Sequence, residues 1–108
     1  MPDLPPRVTV CRTRFYVIRS RALRVGRSPA FGVLDLPQRA IFIARTIDGR
    51  RTTRQEKFDT LIHEFTHIAL IRARGLKLTE EQLCWWLGRE VARAICRNRK
   101  VIAYILKG

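Results

Sequence analysis

LIHEFTHIAL, residues 61–70, decides how this chain is read, because it sets the pattern His63-Glu64-x-x-His67 inside an apolar run. Side chains four residues apart stand one above the other on a helix, so His63 and His67 can both reach one metal ion. Glu64, next to the first imidazole, is then placed to move a proton to or from water at that ion. The pattern points to a zinc-dependent hydrolase with His63 and His67 as metal ligands and Glu64 as general base. A five-residue motif also arises by chance, but both of the chain's histidines fall in it. Its flanks, Leu61, Ile62, Ile68 and Ala69, are apolar, which marks a packed helix whose imidazoles need partners.

Working outward, Thr53 and Glu56 make a capping box that starts the motif helix near residue 54. Phe58, Leu61, Ile62, Phe65, Ile68, Ala69 and Ile71 cover a wide apolar arc along it. It is expected to run to about residue 74, with Gly75 as its C′ stop and Arg72 and Arg74 set against the helix dipole. After a short link at 76–78, Thr79 and Gln82 repeat the capping box and open a second helix, expected over 80–96.

Catalytic zinc sites normally take three protein ligands and leave one position for water, so the third ligand is expected on this second helix. Glu80 and Glu81 are the candidates in its first turn. Glu81 is preferred, since Cys84, Leu87 and Gly88 follow on its face and small residues let two helices approach closely. Glu80 leads instead to Leu83, Cys84 and Leu87 and stays open as the alternative; Glu90 is weaker, because Arg89 and Arg93 can pair with it. Carboxylates in a first turn also suit the helix dipole with no ligand at all. Trp85 and Trp86, being adjacent, point in different directions, one into the core and one toward the cleft or sheet edge. Residues 98–108 read as a short amphipathic helix capped by Asn98, with Val101, Ile102, Ile105 and Leu106 over the core, a final strand being the alternative.

Upstream, alternating and β-branched residues predict strands over 7–11 and 13–19, joined as a hairpin or as one bent strand. Two more are expected over 32–36 and 40–45, separated by the turn Pro37-Gln38-Arg39. The strand at 40–45 is the expected edge strand, able to hold extended substrate by backbone hydrogen bonds. Residues 20–30 show no sustained period and read as a basic connection, and Asp48-Gly49 marks a turn. The prolines at 2, 5 and 6 suggest a loosely held start over 1–6.

With 108 residues there is room for a single domain spanning 1–108 and one site. The start MPDLPPRVTV lacks a secretory apolar stretch, and no apolar run nears the roughly 18 residues of a membrane span. A cytoplasmic location without membrane association follows as the default expectation. Three cysteines without a CxxC pair are expected to be free and mostly buried. The net charge of +13, from 22 Lys and Arg against 9 Asp and Glu, makes a field that attracts polyanions. The basic residues are dispersed and accompany no DNA- or RNA-binding motif, so nucleic acid would be met through phosphates in a salt-dependent way. A basic, nucleic-acid-associated accessory protein with a structural or relic zinc site is therefore the alternative to a peptidase. Oligomeric state is open.

A capped helix bearing LIHEFTHIAL, a link ending GLKLTEEQL and a second helix with glutamate in its first turn resemble the small, phage-type zinc metallopeptidase-like proteins related to the ImmA/IrrE group. The likeness covers roughly residues 32–106. In that group the glutamate after HExxH is followed by a small, a bulky apolar and another small residue, and Glu81, Cys84, Leu87 and Gly88 match this in kind. The resemblance implies an α+β, zincin-like domain. Its parts would be a short antiparallel sheet of three or four strands, the HExxH helix, a second ligand-bearing helix and a short C-terminal helix. It further implies Zn2+ held by His63, His67 and Glu81, Glu64 as general base, and a protein or peptide substrate.

Overall fold

The computed structural model describes residues 3–106 and is an α+β fold. Its main sheet comprises β1 (Arg7–Val10), β2 (Thr13–Ser20), β5 (Gly32–Asp35) and β6 (Ala40–Ala44). Between them lies the hairpin of β3 (Leu23–Val25) and β4 (Ser28–Ala30), and after them the hairpin of β7 (Thr46–Ile47) and β8 (Arg50–Arg51). Three helices follow, α1 (Arg54–Ala73), α2 (Glu80–Arg97) and α3 (Arg99–Leu106).

The sheet runs β1-β2-β6-β5 and is mixed, which corrects the expectation of a purely antiparallel one. β1 and β2 form the expected hairpin, and so do β5 and β6, but β2 and β6 lie parallel, Tyr16 opposite Ala40 and Ser20 opposite Ala44. The cause is the segment after β2. The β3–β4 hairpin, absent from the sequence expectation of a plain connection, turns on Gly26 (φ +62°) as the first of two loop residues, where the II′ form puts glycine. The chain then re-enters the sheet one strand position further out, so that β6 folds back into the gap. The edge strand beside α1 is thus β5, and the strand at 40–45 is interior, contrary to expectation.

The helix boundaries follow from their caps. Both capping boxes form in full, Thr53 with Glu56 and Thr79 with Gln82. Arg50 adds a bidentate pair to Glu56 at 2.8 and 2.9 Å, which holds that carboxyl down to about 2 together with the Thr53 N–H. α1 ends at Ala73 with Arg74 as its cap, and the left-handed φ that would make Gly75 a Schellman stop is absent. Asp48 (φ +49°) and Gly49 (φ +80°) make the expected turn.

Leu61, Phe65 and Ile68 from α1 bury completely or nearly so against Val8, Val10, Phe15, Ile41 and Ile43 from the sheet. Each such side chain contributes about 1.5–3 kcal/mol. α3 closes the core with Val101 and Tyr104 rather than with the expected Ile105 and Leu106, which are exposed. Tyr104 is clamped to the start of α1: the Arg54 guanidinium lies 3.9 Å from its ring centroid and donates to its carbonyl. The N-terminal segment is also tied down from Asp3 onward. Asp3 pairs with Arg19, Leu4 is buried, and the Pro6 carbonyl accepts from the Val17 N–H. Residues 1 and 2 of the expected loose start lie outside the described residues. The cysteines are free, but Cys84 and Cys96 are exposed and Cys11 half-buried, because Ala94 is the single fully buried residue of α2.

Asn98 does not spend its side chain on capping α3. Its amide accepts from the Thr9 N–H at 2.9 Å and donates to the Thr9 carbonyl at 2.9 Å, so it pairs with the free edge of β1 as another strand would. It also donates to the Ala94 carbonyl, locking the break between α2 and α3 to the sheet. Asn98→Ala is expected to destabilise the fold by about 2 kcal/mol in urea unfolding, with faster amide exchange at Thr9; an unchanged midpoint would show that water replaces the amide without loss.

Candidate metal centre

Helical periodicity divides α1 into three faces. Positions 61, 65 and 68 go to the sheet, 63 and 67 go to solvent, and 60 and 64 lie on the border facing β5. The His63 and His67 rings stand one turn apart, edge to face, with centroids 4.5 Å apart and Nε2 atoms 3.0 Å apart. Two nitrogens held at 2.0–2.1 Å by one tetrahedral ion are about 3.3 Å apart, so a small ring rotation fits both to it. With neutral rings and no ion, one Nε2–H donates to the other Nε2, the tautomer deciding which.

Glu64 differs from its neighbours. Only 4% of it is exposed, and its Oε2 has no hydrogen-bond partner. Burial raises its carboxyl above the usual carboxylate range, an effect offset in part by His67 and His63. A buried carboxylate oxygen without a donor is costly, and its persistence beside two imidazoles fits a site made to receive a cation or a proton. His63, Glu64 and His67 bring ligand atoms within 4.8 Å of one another, the one such grouping of metal-ligating side chains among the described residues. The two imidazole nitrogens suit zinc and leave positions open for a third ligand and a water.

The burial of Glu64 depends on β5. Gly32 opens that strand directly over α1, where a Cβ would stand 2.4 Å from Thr60 Cγ2, 3.2 Å from the Phe42 carbonyl oxygen and 3.7 Å from Glu64 Cγ. Thr60 cannot turn aside easily, because its hydroxyl donates to the Glu56 carbonyl at 2.7 Å. Sequence inspection passed over Gly32. Its signal was a glycine opening a strand, a position that favours close backbone approach.

The other expected site residues are placed differently. Glu81 is exposed in the first turn of α2, stands outside the His63–Glu64–His67 group, and lines a shallow groove with Cys84, Trp85, Gly88 and Arg89. Glu80 is exposed as well, and Glu90 is half-buried, 3.6 Å from Arg93. Trp86 is the inward tryptophan, donating its indole N–H to the Ala69 carbonyl at 3.1 Å, while Trp85 is 74% exposed. No helix among the described residues is long and apolar enough to cross a membrane. No protein-family model, curated protein or solved structure matches the chain.

Two outcomes are expected here. Gly32→Ala should destabilise by about 1–3 kcal/mol, and adding Thr60→Ser, which removes Cγ2 and keeps the hydroxyl, should recover part of that loss; no recovery would place the clash elsewhere. For Glu64, a raised carboxyl pKa means the unfolded chain gives up its proton first as pH rises, so the cost of burial is present at neutral pH and absent well below about 4. Glu64→Gln should therefore raise the stability of the metal-free protein at pH 7 by on the order of 1 kcal/mol, with the gain fading in acid; a gain independent of pH would assign it to packing.

Proposed function

We propose that this chain is a zinc-dependent metallopeptidase of the HExxH type, hydrolysing peptide bonds by metal-assisted attack of water with Glu64 as general base. The observation that carries it is the juxtaposition of two exposed imidazole nitrogens 3.0 Å apart with a buried carboxylate oxygen that lacks any donor. His63 and His67 would hold the ion, and Glu81 is the proposed third ligand, which requires the first turn of α2 to bring its carboxylate to the pair. When bound, zinc polarises a scissile carbonyl and acidifies water. Glu64 would accept the proton of the attacking water and return it to the leaving amine. Its raised pKa brings it nearer the neutral range that such proton transfer favours. β5, an edge strand lying against the motif helix at Gly32, offers unpaired backbone groups along which an extended substrate could align.

Elemental analysis is expected to find stoichiometric zinc that is lost in His63→Ala and His67→Ala and weakened in Glu81→Gln but not in Glu80→Gln. Cleavage of an unfolded protein substrate should stop on chelation, and Glu64→Gln should keep the zinc while losing hydrolysis by about 100-fold or more. Full metal content in either histidine variant, or wild-type cleavage by Glu64→Gln, would overturn the assignment.

A further inference from the structure

Arginines far apart in sequence converge on one side of α2. A groove of about 450 Å3 is bounded by Arg12 from the β1–β2 turn, Arg72 from the last turn of α1, and Arg89, Arg93 and Arg97 from α2. The three on α2 recur every fourth residue and so form a row with a rise of about 6 Å between members. One carboxylate, Glu90, lines the groove, 3.6 Å from Arg93 and 3.9 Å from the Cys11 thiol. Among the described residues no carboxylate lies within ion-pair distance of Arg12, Arg72, Arg89 or Arg97. Arg12 reaches the rim from a two-residue turn in which Cys11 (φ +50°) and Arg12 (φ +64°) are both left-handed. Asn-Gly takes that turn readily, whereas side-chain-bearing residues in it cost roughly 1 kcal/mol or more each. Folding tolerates that strain while keeping a guanidinium at the groove.

The groove continues at both ends. Arg97 is shared with a second groove of about 580 Å3 that includes Arg7, Arg99 and Lys100. At the other end Arg89 is shared with the groove containing Trp85, whose indole is 74% exposed. A row of guanidinium groups ending at an open indole matches a ligand with regularly spaced anions and planar apolar rings. Single-stranded nucleic acid has both. A duplex keeps its bases stacked on one another and would leave Trp85 unused, and an acidic peptide segment supplies charge without the rings.

We propose that this face of α2 binds single-stranded nucleic acid, with phosphates along Arg12, Arg72, Arg93 and Arg97 and a base stacked on Trp85. The site borders the proposed metal centre at Glu81, which lines the Trp85 groove, but draws on none of the metal's chemistry.

Fluorescence anisotropy with a short labelled single-stranded DNA oligonucleotide, repeated over a salt series, tests it. Arg93→Gln/Arg97→Gln is expected to weaken binding and to reduce the slope of log K against log salt by about 1.4. Trp85→Ala is expected to weaken binding by roughly 5- to 100-fold with the slope unchanged, and because Trp85 is so exposed, this variant still decides the matter should the double variant fold poorly. Arg21→Gln/Arg45→Gln removes the same charge from a separate basic groove lined also by Arg19, Arg51 and Lys57, and should change neither quantity. Equal loss in that control pair would reduce the effect to net charge and overturn the site. Equal affinity for duplex with no effect of Trp85→Ala would overturn the single-strand assignment, as would polyglutamate competing as well as the oligonucleotide.

Discussion

A strand can press against a helix only where it carries no side chain in the way, and Gly32 meets that condition at the place that matters most. Any Cβ there would fall 2.4 Å from Thr60 Cγ2. The close approach brings β5 over the border face of α1 and removes water from Glu64, which lies one turn beyond Thr60. β5 is the edge strand for a separate reason, since β6 is held on its other side by five parallel pairings with β2. The close approach of β5 to α1 and the exclusion of water from the carboxylate therefore share one steric origin. A side chain at position 32 would push β5 outward and reopen Glu64 to solvent even with every residue of the motif intact.

Burial of Glu64 works against the stability of the metal-free fold and for the chemistry proposed at the site. In water the group would ionise at its ordinary pKa and be a weak base. Set against β5 without a donor, it holds its proton to higher pH and attracts positive charge more strongly, because the surrounding dielectric is low. The fold offsets the cost with neighbours that cannot rearrange cheaply. Leu61, Phe65 and Ile68 fix the rotation of α1, and the Thr53–Glu56 box with Arg50 fixes where the helix begins. Local rules are broken at the site and obeyed around it, as expected where a protein maintains a functional group in an unfavourable place.

The helices were legible in the sequence because their signals are local. Thr53 and Glu56, or Thr79 and Gln82, satisfy backbone donors within one turn, so no tertiary context is needed to place them. The same holds for the strand pair around Pro37 and for Asp48-Gly49. What could not be read was set by distant partners. Whether β6 pairs with β2 in parallel depends on how the chain returns from the β3–β4 hairpin, which two short strands of ordinary composition do not announce. Asn98 looked like a cap because its neighbours suit a helix start, yet its amide bonds to Thr9, 89 residues away. Cys11 and Arg12 carry no residue-type signature of the left-handed turn they occupy. The motif histidines and Glu64 were legible as a group, whereas the sequence could only offer Glu81 or Glu80 as candidates for a third ligand, since such a ligand depends on how two helices sit against each other.

A net charge of +13 opposes the approach of a divalent cation, so the proposed zinc site and an arginine-rich surface on one small chain raise a question of range. At physiological ionic strength exposed charges are screened over about 8 Å. Arginines beyond that distance from the histidines contribute little to the potential there, however many they are. Glu64, with ligand atoms of both histidines within 4.8 Å and little water around it, contributes almost unscreened. A cation at the histidines would therefore meet the field of this carboxylate first, and a second carboxylate brought in from α2 would add to it. A phosphate backbone is governed by the same short range in the opposite sense, since it touches the guanidinium groups directly and gains from each in turn. Contact geometry, rather than total charge, would allow one 108-residue chain to combine the proposed metal site on α1 with the proposed phosphate-binding groove along α2.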